Sequence, residues 1–118
     1  MPKIPLLSLL VCLAFACGES APATLNACPE PVQVGCPTDA LRYDTGIGDL
    51  LDERCSPCHA RGGVEATRLL TDYDHAFGLR MSIANQLVTC SMPQAGSPPL
   101  TVDERQQILD WLTCGAPR

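Results

Sequence analysis

One short motif combines residue types that do chemistry with a fixed spacing. It reads Cys55, Ser56, Pro57, Cys58 and His59. Two thiols separated by two residues at a helix end face the same way, so each can add to one vinyl group of a haem, and the adjacent histidine is delivered to the iron. The pattern predicts one covalently attached c-type haem, held by Cys55 and Cys58, with His59 as an axial iron ligand.

Two other chemistries use cysteines at this spacing. A zinc site could take Cys55, Cys58 and His59, but zinc knuckles carry a second ligand pair farther along the chain, and no convincing His/Cys pair follows here. A redox-active dithiol of the thioredoxin kind needs a βαβ context, and the sequence shows no strand alternation of useful length. Haem attachment is the interpretation that the spacing favours.

A six-coordinate haem needs a second axial ligand, for which thioether sulfur and imidazole nitrogen are the usual donors. The downstream candidates are His75, Met81 and Met92. Met81 continues an apolar helical stripe and is more simply a core residue, while His75 is expected at the surface and is the main rival ligand. Met92 lies in a proline-rich run, where fixed backbone can hold a side chain toward the iron at low entropic cost. Met92 is therefore predicted as the second ligand.

The elements that must position these residues are helical. Apolar spacing predicts three helices, over residues 46–55, 72–88 and 102–114, joined by loops rich in Gly and Pro. The fold class expected is all-α, with about three helices packed around one covalently bound haem. The porphyrin would supply apolar core that so small a chain lacks.

The helix ends and faces can be predicted in more detail. Asp44 or Thr45 is expected to cap the first helix. Thr101 and Glu104 form a capping box at the start of the third, which Gly115 should end. The second helix is expected to carry a continuous apolar stripe, made of Tyr73, Phe77, Met81, Ala84, Leu87 and Val88.

The N-terminus has the pattern of an export signal. Lys3 precedes an apolar run through residue 16, which is too short for a membrane-spanning helix and suits the h-region of a secretory signal. The small residues Ala14 and Ala16 then precede Cys17, which resembles a bacterial lipoprotein signal with Cys17 as the lipidated residue. Residues 1–16 are predicted as a signal peptide, and the mature protein as exported and anchored to a bacterial membrane through lipid; the alternative is simple secretion.

The rest of the chain divides into two parts. Residues 17–41 are rich in Pro and Ala and are expected to form a tether, in which Cys28 and Cys36 would close a small disulfide loop, unless each has an unrelated partner. Residues 42–118 are the expected haem domain. The 118-residue chain carries a formal net charge of −5, which argues against nucleic acid as a partner because a phosphate backbone selects a basic face.

Together these features resemble a class I monohaem cytochrome c, specifically a short exported bacterial cytochrome domain of the lipoprotein-anchored kind. The resemblance covers about residues 45–117: the helix before Cys55, the attachment motif, the loop with Met92, and the closing helix with Trp111. In that family the first and last helices cross in close contact, which would place Gly46 or Gly48 against the Trp111 side of the last helix.

Two cysteines are additional to this family pattern. Cys90 lies just before the Met92 loop and Cys114 lies at the end of the last helix. A disulfide between them would clamp the loop onto that helix, with buried free thiols as the alternative. With Cys28 paired to Cys36, all the mature cysteines would then be assigned.

Ligation by both His59 and Met92 would leave no position open for oxygen, peroxide or substrate. The expected function is electron transfer rather than catalysis, with redox proteins of the cell envelope as partners and the membrane contacted only through the lipid anchor. One alternative is a haem protein that binds ligands or acts as a peroxidase, in which Met92 leaves the iron readily. Another is a non-haem, disulfide-stapled envelope module in which Cys55 and Cys58 pair.

Overall fold

The computed structural model describes residue 33 and residues 35–118 of the chain. This part is helical, and no strand occurs within it, as the all-α prediction expects. A 3₁₀ turn at Tyr43–Thr45 is followed by α1 (Ile47–Arg54), α2 (Ser56–His59), α3 (Tyr73–Gly78), α4 (Arg80–Val88) and α5 (Val102–Thr113). The predictions for residues 1–16, for Cys17 and for Cys28 fall outside the described residues.

The first predicted helix is present as α1, but its start differs from the prediction. Its N-cap is Gly46, so neither Asp44 nor Thr45 caps the helix. Thr45 belongs to the 3₁₀ turn, where its hydroxyl accepts a hydrogen bond from the backbone N–H of Arg42 at 3.0 Å. The side chain therefore faces back along the chain and cannot serve the first turn of α1.

The small residues of α1 also contact other neighbours than expected. A Cβ at Gly46 would come within 3.2 Å of Leu41, and one at Gly48 would come within 3.0 Å of the Tyr43 ring. The close approach at these glycines is thus to the segment preceding α1, not to Trp111. Contact between α1 and α5 is nevertheless present, as expected.

The second predicted helix is two helices. Leu79, at φ −96° and ψ 4°, leaves helical geometry and separates α3 from α4. Gly78 precedes it, and glycine is a poor helix former. Because the break changes the direction of the apolar face, the predicted continuous stripe is wrong: Leu87 is buried, whereas Met81 is 75% exposed and Val88 is 52% exposed.

The closing helix matches its prediction. The Thr101 hydroxyl accepts from the N–H of Glu104 at 3.1 Å, and the Glu104 carboxylate accepts from the N–H of Thr101 at 2.8 Å, which completes the capping box. At the other end Gly115 adopts φ +85°, a conformation that suits glycine and ends the helix.

The core lies where α1 and α4 pack on α5. Ile47 and Leu51 from α1 meet Ile108 and Trp111 from α5, and all four are fully buried. The Trp111 indole N–H donates to the carbonyl of Pro117 at 2.8 Å, so the C-terminal residues fold back onto the core. None of the helices in the described part of the chain has the length and apolar character needed to cross a membrane.

The disulfide pairing differs from both predicted bridges. Cys36 pairs with Cys114, with their Cα atoms 4.9 Å apart and 78 positions between them in the sequence, and Cys90 is also disulfide-bonded. The predicted Cys28–Cys36 and Cys90–Cys114 pairs are therefore wrong. The reason is visible at Gln33, whose backbone exchanges two hydrogen bonds with the Gln106 side chain, at 3.1 and 3.0 Å. This contact lays the chain before α1 along α5 and brings Cys36 to the end of that helix.

Candidate haem cleft

The described residues enclose a cleft that the attachment motif and the Met92 loop both line. The four predicted ligand and attachment residues, Cys55, Cys58, His59 and Met92, all border it, whereas His75 and Met81 do not. Aliphatic side chains from every side make up much of the remaining wall: Leu51, Leu70, Leu79, Ile83, Leu87, Leu100 and Ile108. Such a wall suits a flat apolar group with a polar centre.

Two elements present the thiols. The N–H of Cys55 bonds the carbonyl of Leu51 at 2.8 Å as the C-cap of α1, and the N–H of Cys58 bonds the carbonyl of Cys55 at 3.1 Å within α2. Pro57 stands in the first turn of α2, where a missing N–H costs nothing. Sequence reasoning missed this one-turn helix; Cys55 at its N-cap and Cys58 within it both line the cleft.

The motif cysteines are free thiols, while Cys36, Cys90 and Cys114 are disulfide-bonded. Burial, reinforced by the neighbouring Cys58, raises the pKa of Cys55 to about 11. Cys55 is therefore a protonated thiol at neutral pH. Because no disulfide joins Cys55 to Cys58, the pairing assumed for a stapled non-haem module is not what the structure shows.

The imidazole of His59 is oriented by its own loop. Its Nδ1 lies 2.8 Å from the carbonyl oxygen of Arg68. A carbonyl can only accept, so Nδ1 carries a proton and donates, and in the neutral imidazole the lone pair is then on Nε2. The backbone adds a second restraint, since the N–H of Leu70 donates to the carbonyl of His59 at 2.9 Å.

The loop after His59 requires a glycine at one position. A Cβ at Gly63 would lie 2.3 Å from the carbonyl oxygen of Cys58, closer than any real Cβ contact. The same carbonyl accepts from the N–H of Glu65 at 2.9 Å, so the loop packs directly on the motif backbone. Sequence reasoning assigned no role to Gly63 or Arg68; the consecutive glycines 62 and 63, which follow the motif after two residues, were the available signal.

Met92 is positioned from the end of α4. The N–H groups of Ser91 and Met92 both donate to the carbonyl of Gln86, at 2.9 and 3.3 Å. The Thr89 hydroxyl donates to the carbonyl of Asn85 at 2.8 Å and lies 2.8 Å from the Ser91 hydroxyl. The chain thus turns sharply after α4, and this turn brings Met92 to the cleft that His59 also lines.

The rival ligand is engaged elsewhere. His75 is exposed on α3, where its Nδ1 lies 2.6 Å from the carboxylate of Asp72. Asp72 also accepts from the backbone N–H of His75 as the helix N-cap, and this hydrogen bond is the main reason that the pKa of Asp72 is lowered. The exposure predicted for His75 is confirmed.

The donor set of the cleft suits haem better than a bare ion. Among residue 33 and residues 35–118, no three His, Cys, Asp or Glu side chains are grouped closely enough to hold a metal ion, so the zinc interpretation lacks a ligand cluster there. Haem attachment needs a different set: two free thiols, an imidazole, a thioether and apolar surroundings. The cleft offers each of these.

Two ion pairs border the cleft: Arg68 pairs with Glu65 at 2.7 Å, and Arg54 pairs with Glu104. Arg54, the residue before Cys55, lines the cleft and donates from Nε and Nη2 to Oε1 of Glu104, at 2.9 and 2.7 Å. Hydrogen bonds from the Thr101 backbone and from Arg54 lower the pKa of Glu104, the former most strongly. The Arg54–Glu104 pair ties the end of α1 to the start of α5.

Comparison of the chain with protein-family models, with curated proteins and with solved structures finds no match. The likeness to class I cytochromes c therefore stays a prediction from the residues.

Proposed function

We propose that this protein is an exported electron carrier with one c-type haem, bound covalently through Cys55 and Cys58 and ligated by His59 and Met92. The observation that carries the proposal is the composition of one cleft. The cleft is lined by the two motif cysteines together with His59 and Met92. Both motif cysteines are free thiols, whereas Cys36, Cys90 and Cys114 are disulfide-bonded.

Each group has a defined task in this proposal. The thiols of Cys55 and Cys58 fix the haem covalently, which a small domain needs because it cannot hold the macrocycle by packing alone. The backbone carbonyl of Arg68 accepts from Nδ1 of His59, so Nε2 is the nitrogen that would bind the iron. The haem supplies one-electron exchange when bound. The aliphatic wall disfavours the more highly charged ferric form and so raises the potential.

The cleft opens to solvent at a place suited to a redox partner. Val64 lines it and is 84% exposed. Because electron transfer requires only a close approach, a partner docking at this edge could exchange electrons without entering the site. The net charge of −5 favours a partner with a basic patch around its own redox centre. Export to the cell envelope and lipid anchoring through Cys17 complete the proposal.

The test is expression in a host with a cytochrome c maturation system, followed by visible spectra and the pyridine haemochrome. We expect a c-type haemochrome, a low-spin reduced spectrum and the weak red sulfur-to-iron band in the ferric form. Cys58→Ser should lose stable haem attachment. Ser56→Ala is the matched control, since the Ser56 hydroxyl is buried, has no hydrogen-bond partner among the described residues and does not line the cleft. A colourless wild-type protein would contradict the proposal.

The same spectra separate electron transfer from ligand binding. Met92→Ala should open a coordination position, giving a high-spin ferric spectrum and binding of carbon monoxide by the reduced protein. Met81→Ala removes an exposed methionine away from the cleft and should leave the spectrum unchanged. If the wild-type protein is already high-spin and binds carbon monoxide, the haem remains but the ligand-binding alternative replaces electron transfer.

A further inference from the structure

A buried arginine lies behind the Met92 loop. Arg105, on α5, is only 6% exposed, and its Nε donates to the carbonyl of Leu87 at 2.9 Å. A guanidinium cannot lose its proton in a protein, so burying it is costly unless its donors are bonded. Arg105 is not among the residues that line the cleft. Its burial calls for a role outside the ligand set.

The acceptor of this hydrogen bond lies next to the carbonyl that accepts from the N–H of Met92. Leu87 is the next-to-last residue of α4, and the carbonyl before it, that of Gln86, accepts the N–H groups of Ser91 and Met92. Arg105 and Met92 therefore bond adjacent carbonyls of the same helix end. A positive charge at this point also interacts favourably with the C-terminal end of the helix dipole.

We infer that Arg105 is a positioning residue that holds the end of α4 and thereby keeps Met92 turned toward the cleft. The inference rests on the proposed function, because it concerns the ligand side of the same site. Without the guanidinium, the Leu87 carbonyl loses a charged donor, and the turn that carries Met92 is held less firmly against α5. Met92 would then compete less well with external ligands.

The experiment measures cyanide affinity of the ferric, haem-loaded protein, because cyanide must displace Met92. Arg105→Met keeps the length of the side chain and removes the donors. Loss of a hydrogen bond to a charged group should raise the apparent cyanide affinity roughly 10-fold and weaken the red sulfur-to-iron band. Arg105→Lys keeps the charge but not the planar fork and should fall between this variant and the wild type.

Tyr73→Phe is the matched control. It also removes one donor to a carbonyl, that of Ala116 at 3.1 Å, but at a place that does not line the cleft. It should leave the cyanide affinity and the red band unchanged. An equal change in this variant would mean that any loss of stability has the same effect, and would overturn the inference.

Hydrogen exchange gives a readout that does not depend on iron chemistry. In Arg105→Met the amides of Ser91 and Met92 should exchange about 10-fold faster relative to those of α1. Wild-type cyanide affinity together with wild-type exchange in that variant overturns the inference. If Arg105→Met does not fold, Arg105→Lys decides, and wild-type values there overturn it. Failure of the proposed function is distinct, because the wild-type protein would then lack the red band from the outset.

Discussion

The two sides of the cleft are held in different ways. On the His59 side, the imidazole Nδ1 bonds a carbonyl only 9 positions away, and the loop between them packs on the backbone of the motif itself. On the Met92 side, the end of α4 is held by Arg105, which lies 18 positions beyond Leu87, and by the disulfide of Cys90. The His59 side is organised by its own stretch of chain, whereas the Met92 side adds to the local hydrogen bonds of residues 85–92 a bond from the distant Arg105.

The difference has an energetic consequence. Local contacts close short loops and can form before the rest of the domain is in place, whereas distant contacts require the helices to have docked. A perturbation of the overall packing should therefore release Met92 while His59 stays oriented. If Met92 ligates a haem as proposed, the Met92 side is the one at which ligation would be lost.

The largest effect on stability is expected from removing the disulfide between Cys36 and Cys114, and this variant tests the comparison between the two sides of the cleft. Replacing both cysteines by serine removes a cross-link that spans 78 positions, which costs roughly 4 kcal/mol of unfolding free energy in the loop-closure model. Denaturant titration followed by the red sulfur-to-iron band and by helical circular dichroism should show the band lost first.

The matched control for that variant is Gln106→Ala. It removes the pair of hydrogen bonds that Gln106 makes with Gln33 and one that it donates to Asp110. It should cost about 1 kcal/mol, because Gln106 is only half-buried. The variant with both cysteines replaced by serine could instead lose the red band and the circular dichroism signal in a single transition, at a midpoint close to that of the wild type. That result would show that the Met92 side does not depend on this disulfide.

Gly63→Ala tests the opposite side. Because the new methyl group would lie 2.3 Å from the Cys58 carbonyl, the loop must shift, at a cost of roughly 1–3 kcal/mol. The shift should disturb the Arg68 contact of His59, so we expect a changed signal of the His59 ring in the proton spectrum along with the lower stability. Gly78→Ala, with no heavy atom within 4 Å of the added methyl, is the control and should be neutral or slightly stabilising. Equal effects of the two variants would remove the special role of Gly63.

The sequence predicts features that depend on local contacts better than features that depend on distant ones. The attachment motif, the capping box at Thr101 and the helix leading into Cys55 are local patterns, and the structure contains α1, the capping box and a cleft lined by the motif. Met92, which lies in a proline-rich stretch of the sequence, also lines that cleft, and its ligation of iron stays a prediction.

The features that sequence reasoning missed depend on tertiary packing. Proximity suggested that Cys36 pairs with Cys28, but loop-closure entropy grows slowly with length, so a partner 78 positions away is accessible once the lead-in lies on α5. The break at Leu79 turned Met81 to solvent, which no periodicity within residues 72–88 predicts. The burial of Arg105 likewise depends on α4 packing against α5.

The smallest expected effect concerns the ion pair that joins the two sides, since Arg54 precedes Cys55 and Glu104 lies on α5 beside Arg105. The pKa of Glu104 is lowered in the folded protein, chiefly by the Thr101 backbone N–H. The charged carboxylate therefore stabilises the folded protein at any pH above the ordinary pKa of a glutamate. That contribution is lost as the pH falls through the ordinary carboxyl range toward the lowered value.

Glu104→Gln keeps the shape and an acceptor for the capping box but removes the charge. With both side chains partly exposed, we expect a loss of about 0.5–1 kcal/mol at neutral pH and a smaller fall in stability as the pH drops below about 5. Asp103→Asn, an acid in the same first turn that is not paired with Arg54, should keep the acid-dependent fall of the wild type. If Glu104→Gln also weakens the red sulfur-to-iron band at neutral pH, the two sides are coupled through α5, and the independence of the His59 side would have to be abandoned.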